Sequence, residues 1–340
     1  MSLHVDSVAN VSAILAELCR ARGDATGDAP GSSICSTMNF IVFVDAPVHR
    51  EWVLERAARL VEKHPARTIV LDASGATRGV EISTSTRQAD DAALLGERVD
   101  AGVAGLEPSA IISIARELSL ADIPTILWWS GARLLASRTF QGLAEMASVV
   151  VVDSSGMARD EETIRELGQF VLKYPNVTLH DMAFLRLAPW QDMIAQFFDD
   201  PALRDDLFSI AALEIESGSE AEALYLGGWL GSRISWQAID ATTFRARDGR
   251  VIRFTRAQKG DKRRVMRVTL ESDDSRYSAV LSADDENVVC LKVDGAKAKP
   301  AWWAPLHHID NASLIERAIL ATARDPIFET SLETVRDLLG

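Results

Sequence analysis

Between residues 38 and 180, short apolar runs alternate with segments of helical period, and that alternation narrows the fold more than any other feature. The runs are NFIVFVD (39–45), RTIVLD (67–72), PTILWWSG (124–131), SVVVVDSSG (148–156) and NVTLH (176–180). They are continuous rather than alternating, as strands buried on both faces are. The helical stretches lie at 47–63, 107–118, 132–146 and 160–172. Pro47 suits the first turn of its helix, where a backbone N–H has no intrahelical partner. Strands and helices in turn predict a mainly parallel sheet covered on both sides. VEISTST (80–86) alternates instead and reads as a half-exposed strand.

The flanks differ from this body. Val5, Val8, Val11, Leu15 and Leu18 give one amphipathic helix over 5–22, and GDATGDAPGSS (23–33) has the composition of a flexible linker. After 180 come helices at 189–199 and near 201–207, a strand at 208–217 and a helix at 219–233. Strand-like runs then follow: SWQAIDATTFRA, RVIRFTRA, RVMRVTLES, SRYSAVLSA and NVVCLKV. Asp248-Gly249, Lys259-Gly260-Asp261 and Asp273-Asp274-Ser275 fall between them as turn signals. Helices at 311–323 and 327–339 end the chain. The expected organisation is an N-terminal helix and linker (1–33), an α/β domain with a mainly parallel sheet (34–180) and an α+β domain with an antiparallel meander (181–340).

The chain has 340 residues and a net charge of −13. That balance argues against general binding of nucleic acid or anionic membrane, whose phosphates it would repel. No run approaches the roughly 18 apolar residues of a membrane span. MSLHVDSVAN shows neither a basic n-region nor an apolar h-region, so a cytoplasmic location is expected. Three cysteines, at 19, 35 and 290, without a C-x-x-C or a Cys/His cluster, give neither a disulfide framework nor a metal site. No cofactor is expected either: G-x-G-x-x-G, G-x-x-x-x-G-K-[ST], G-x-S-x-G and H-E-x-x-H are all missing.

Candidate sites therefore come from position. Open α/β sheets bind ligands at the C-terminal ends of their strands. Trp129, Ser130 and Gly131 end one strand, and Asp153, Ser154 and Ser155 end another. The amides of 154–156 could hold a phosphate, or the same residues could simply cap the next helix. Trp128 and Trp129 are adjacent and point to opposite faces of a strand, so one belongs to the core and the other is open between crevice and contact. Ser217, Ser219 and Glu220 precede a helix, either as its N-cap or as the polar mouth of a pocket for a hydroxylated ligand. PWQDMIAQFFDD places Trp190, Met193, Ile194, Phe197 and Phe198 on one helical stripe, a seam between domains or a partner surface. Trp302 and Trp303 lie between prolines, in extended backbone that displays the rings.

Residues 245–267 hold ten Lys/Arg and two Asp, a local +8 that leaves −21 for the rest of the chain. On a hairpin these would form either a solvated face or a patch for an acidic partner, with Arg253, Arg256, Arg263 and Arg264 as its contacts. RNA is a weaker third reading, since no aromatic RNP pattern accompanies the charge.

Several longer stretches resemble a known family. They are NFIVFVD with the HR, WVLERAAR and VEKHP that follow (37–68), TILWWSG (125–131), LLASRTFQ and LAEMA (134–147), VVVDSSG (150–156), RLAPWQDMIAQFFDDPALR (186–204) and SGSEAEALYLGGWLGSR (217–233). Together they are similar to the OpcA family, the assembly or effector proteins of glucose-6-phosphate dehydrogenase. The resemblance implies a non-catalytic protein that binds this enzyme and promotes its active oligomer in the oxidative pentose phosphate pathway, with self-association an open question. The alternative from the residues alone is a sugar-phosphate sensor or enzyme built on the strand-end loops.

Overall fold

The computed structural model describes residues 2–5, 11–26, 36–77, 79–89, 92–131, 134, 136–157, 159–260, 264–307 and 309–340. The first elements are β1 (Ser2–Val5), α1 (Val11–Thr26), β2 (Met38–Val44), α2 (Pro47–Lys63), β3 (Ala66–Asp72), β4 (Val80–Ala89), β5 (Ala92–Gly102) and α3 (Pro108–Leu118). Next are β6 (Thr125–Ser130), α4 (Arg138–Ala144), β7 (Val149–Val152), α5 (Asp160–Lys173), β8 (Thr178–Asp181), α6 (Met182–Leu185), α7 (Ala188–Phe197), β9 (Ala212–Ser217) and α8 (Glu220–Arg233). The chain ends with β10 (Gln237–Asp240), β11 (Thr243–Arg245), β12 (Val251–Gln258), β13 (Val265–Glu271), β14 (Ser275–Leu281), β15 (Val288–Gly295), β16 (Lys299–Pro305), α9 (Asn311–Leu320) and α10 (Pro326–Leu339).

Two compact units result. One comprises Met1–Asp153, Lys173–His180 and Ile315–Thr322, the other Ser154–Leu172, Asp181–Leu314 and Ala323–Gly340. In the first, an eight-stranded sheet runs β1-β4-β5-β3-β2-β6-β7-β8. β5, β3, β2, β6 and β7 are mutually parallel, with the order reversing between β2 and β6, as in doubly wound folds. Every residue of β2 and β3 is buried, which accounts for their unbroken apolar reading. Among the polar exceptions, which include Asn39, Thr68 and Asp72, is a buried ion pair. Arg67 on β3 sits opposite Glu97 on β5 and donates to it from Nε at 2.9 Å and Nη2 at 2.7 Å. A third bond from Nη1 reaches the Leu118 carbonyl at 3.0 Å. Such a pair tolerates no slip, because either charge left alone would be buried unpaired.

The periphery of this sheet departs from the sequence reading. Residues 2–5 form a strand paired antiparallel with β4, and α1 runs on through Gly23 to Thr26. The remainder of the expected linker, 27–33, lies outside the described residues, as do Cys35 and Arg263. β5 has no counterpart among the expected strands. It pairs antiparallel with β4 and parallel with β3, so one edge of the sheet is mixed.

In the second unit the order is β10-β11-β12-β9-β13-β14-β15-β16, mostly antiparallel. The expected meander is interrupted: β9 lies between β12 and β13, parallel to the first and antiparallel to the second. The Lys259-Gly260-Asp261 turn signal therefore does not close a hairpin. Pairing puts Leu213, Ile215, Phe254, Leu270 and Tyr277 on one face of the sheet. The helices cover that face. α8 lies against it at Gly227, where a Cβ would come within 2.5 Å of the Phe254 ring, and against α10 at Gly228, where a Cβ would meet Val335 at 2.5 Å. Two adjacent glycines thus let one helix pack tightly on both sides. The opposite face carries Arg245, Val251, Arg253, Glu216, Arg267, Arg276, Lys292 and Trp303.

Candidate functional site

In the first unit the strand-end loops are closed by their own side chains. Trp128 and Trp129 are both buried. Trp129 stacks on Phe43 at 4.1 Å and meets Phe140 edge-on at 5.1 Å, and Trp128 meets Trp52 edge-on at 5.9 Å. A sheet covered on both sides makes both faces core, so neither ring lines a crevice. Ser130 is half-buried and Gly131 buried beside them. β2 runs into Asp45-Ala46-Pro47, a turn without glycine whose proline has no N–H for a phosphate. Asp72, at the end of β3, is fully buried. It accepts from Arg50 Nε at 2.6 Å, from the Ser74 amide at 2.8 Å and from the Ser74 and Thr77 hydroxyls. Burial pushes its carboxyl up, but the bonds from Ser74, Thr77 and Arg50 outweigh that and hold it below the usual aspartate value.

Asp153 is half-buried. Ser154 and Ser155, both buried, belong to a network inside the second unit. The Ser154 amide donates to Asp181 Oδ1 at 3.0 Å. Asp181 also takes the Ala183 amide at 2.9 Å, which caps α6, and the Tyr225 hydroxyl at 2.8 Å. That amide is thus committed to a buried carboxylate rather than to a phosphate. Ser155 accepts from Arg186, whose Nε donates to Glu222 Oε1 at 3.0 Å and whose Nη1 reaches Asn311 at 3.4 Å.

Ser217 and Ser219 are also buried. Ser219 caps α8 by accepting the Glu222 amide at 3.3 Å, and Ser217 accepts the Ser219 amide at 3.1 Å. Asp160 takes the Ala221 amide at 2.9 Å and the Ser219 hydroxyl at 3.2 Å. The capping reading accounts for both serines. Glu220 pairs with Arg256 at 2.5 Å. Burial raises its carboxyl most; Arg256 lowers it, Glu161 and Asp160 raise it again, and the balance lies above the ordinary glutamate value.

Two residues further along α8, Glu222 lines a cleft of about 410 Å³. Its polar lining is the Arg186–Glu222 pair, the Arg264–Glu286 pair at 2.7 Å, Asn287 and His307. Leu187, Pro189, Trp190, Val265, Leu306 and Ile309 supply the apolar lining. Trp190 and Arg264, expected at a partner surface, therefore meet here. Nothing in the local sequence marks this convergence: Arg186 and Glu222 lie 36 positions apart. Glu222 was visible only as an early glutamate of a capped helix.

The remaining candidates separate. Phe197 and Phe198 are 2% and 7% exposed. Phe197 packs on Tyr277 at 5.5 Å and Trp302 at 5.7 Å, and Phe198 on Tyr277 at 5.0 Å, all within the second unit. These rings form that unit's core, not an interdomain seam or a partner surface. Trp302 joins them, whereas Trp303, one residue on and on the opposite face, is 62% exposed. The basic segment is also divided. Arg256 is held by Glu161 and Glu220, Lys259 and Arg267 by Glu216 of the intervening β9, and Arg264 by Glu286. Arg253 is exposed on the uncovered face and makes no ion pair among the described residues.

Comparison with known proteins adds the lineage. The family model for the glucose-6-phosphate dehydrogenase subunit N-terminal domain matches residues 57–169, and the model for the corresponding C-terminal domain matches 177–332. A Synechococcus elongatus protein assigned to the OxPP cycle as OpcA is 26% identical over 252 residues, 67% of this chain and 56% of its own length. Its Synechocystis counterpart is 34% identical over 128 residues, 37% of this chain and 26% of that protein. The matched chain thus spans about half or less of these relatives. The crystal structure of KijD10, a 3-ketoreductase from Actinomadura kijaniata in complex with TDP-benzene and NADP, superimposes with a TM-score of 0.52 at 10% identity, covering 90% of this chain and 95% of that one. At such identity the likeness is one of fold alone. A dinucleotide lies on a glycine-rich turn after one strand and uses an acidic residue near the end of the next. Here that turn is Asp45-Ala46-Pro47 and Asp72 is closed by Arg50, Ser74 and Thr77, so these residues do not fit that mode of dinucleotide binding. Models of both domains match in order along one chain, and curated relatives share the name: the chain belongs to the OpcA family.

Proposed function

We propose that this protein is a non-catalytic partner of glucose-6-phosphate dehydrogenase, which binds the enzyme and promotes its active oligomer in the oxidative pentose phosphate cycle. The observation that carries this reading is the match of both dehydrogenase-subunit domain models, over 57–169 and 177–332. The polar groups support it. Arg186 is tied to Glu222 and Ser155, and Asp181 to three donors, arrangements that hold structure together rather than activate a nucleophile. The contact surface in this reading is the uncovered face of the second sheet. Val251 and Trp303 are 59% and 62% exposed there, and Arg245 and Arg253 are diagonal neighbours on β11 and β12 without ion pairs among the described residues. Exposed aromatic and arginine side chains are the usual anchors of protein interfaces.

Mixing the purified chain with the dehydrogenase tests this. The expected outcome is co-elution on a sizing column, a shift of the enzyme to a larger species and a rise in its activity. Separate elution with unaltered activity would overturn the proposal.

A further inference from the structure

We infer that the cleft of the second unit binds a small polyhydroxylated molecule carrying one anionic group, a sugar phosphate or a sugar acid. Its volume of about 410 Å³ falls within the roughly 300–1,000 Å³ typical of small-molecule sites. Its lining combines apolar side chains with hydrogen-bonding groups, and a sugar has use for both, with its C–H faces and its hydroxyls.

Arg264 takes the anion. Arg186 is locked by Glu222, Ser155 and Asn311, so it braces the wall. Arg264 is held differently. Its one ion pair among the described residues, with Glu286, is to a carboxylate whose side chain is 54% exposed, and its buried Nε has no hydrogen-bond partner. Arg264 itself is 22% exposed, and a pair whose carboxylate stands more than half in water is weaker than a buried one. A phosphate or carboxylate can instead engage the guanidinium by two parallel bonds in place of Glu286. The hydroxyls then meet Asn287 and His307. Asn287 donates to Asp285 at 3.2 Å, but its side-chain carbonyl accepts nothing among the described residues, and the exposed His307 ring makes no hydrogen bond there either. An amide carbonyl and an imidazole together offer both acceptor and donor to a polyol. With two arginines and two glutamates the lining is otherwise balanced, which suits a ligand with one anionic group rather than several.

Isothermal titration of the full chain tests the assignment, with glucose 6-phosphate, gluconate, glucose and inorganic phosphate as probes. Glucose 6-phosphate or gluconate is expected to bind at least about tenfold more tightly than glucose or phosphate. Which of the two binds better identifies the anionic group. Arg264→Gln should weaken that binding about tenfold or more with unchanged melting, and Arg264→Lys, which keeps the charge but loses the fork, should fall between. If Arg264→Gln does not fold, Asn287→Ala on the exposed turn serves in its place, with an expected loss of severalfold. Binding by none of the probes, glucose or phosphate matching the anionic sugars, or unchanged affinity in the folded variants would each overturn the inference.

Discussion

Asp72 ends β3 with four donors on its two oxygens, from Arg50, Thr77 and the amide and hydroxyl of Ser74. A carboxylate held below its unfolded value stabilises the fold above an unfolded pKa of about 4 and loses that contribution as pH falls through the folded value. Asp72→Asn is therefore expected to lower stability by about 1–3 kcal/mol at neutral pH. The gap between variant and parent should close as the medium is acidified below about pH 4, and thermal melts over a pH series would show it. A constant gap would mean that the loop needs the shape of the side chain and not its charge. Glu220 has the opposite sign. Its carboxyl is raised, so its ionisation opposes folding increasingly as pH rises above an unfolded pKa of about 4.3. At this scale the sequence is legible where partners are local. Ser219 before α8 is a cap that residue type and position already mark. Arg186 with Glu222, or Arg50 with Asp72, join distant positions, and no spacing rule announces them.

α7 shows what an element's own pattern can and cannot tell. The stripe of Trp190, Met193, Ile194 and Phe197 marks one buried face, and all four are buried. It does not say against what that face packs, because the partners, Tyr277 and Trp302, come from strands that begin some 75 residues or more downstream. Phe197→Ala should cost about 3–5 kcal/mol, since the ring leaves a cavity between α7 and the sheet. Chemical denaturation of the variant checks this, and a loss under 1 kcal/mol would mean that the helix readily collapses onto the gap. Strand order was the least legible part of the fold. Turn chemistry at Lys259-Gly260-Asp261 is that of a hairpin, yet β9 enters between β12 and β13. A local turn signal specifies the bend and not the neighbour. The parallel sheet was easier to read, because strands buried on both faces leave an unbroken apolar run, as β2 and β3 do.

Charge is where the whole molecule changes the reading of its parts. In sequence, 245–267 is a block of +8 within a chain of −13. In the folded sheet, Glu216 of β9 stands between Lys259 and Arg267, and Arg256 turns to Glu161 and Glu220. Arg264 is on Glu286. These four basic residues are thus paired with acids drawn from elsewhere in the chain, and the basic surface is smaller than the sequence suggests. Arg245, Arg247 and Arg253 make no ion pair among the described residues, and Arg245 and Arg253 share the uncovered face of the second sheet with Val251. A chain of strongly negative charge repels an acidic protein at long range, so a small cationic site can set both orientation and rate of encounter. If this face meets the dehydrogenase, reversing both arginines to glutamate should slow association about tenfold at low ionic strength and flatten its dependence on salt. Melting should hardly change, because exposed charges without partners contribute little to stability. Dissociation should change less than association, since charges at the rim of an interface act mainly on encounter. Surface binding kinetics at two ionic strengths, on the double variant and on Trp303→Ser, separate steering from contact. The tryptophan variant should instead speed dissociation, because an aromatic anchor acts after encounter. Association rates unaltered in Arg245→Glu/Arg253→Glu at both salt concentrations would remove this face from the interface.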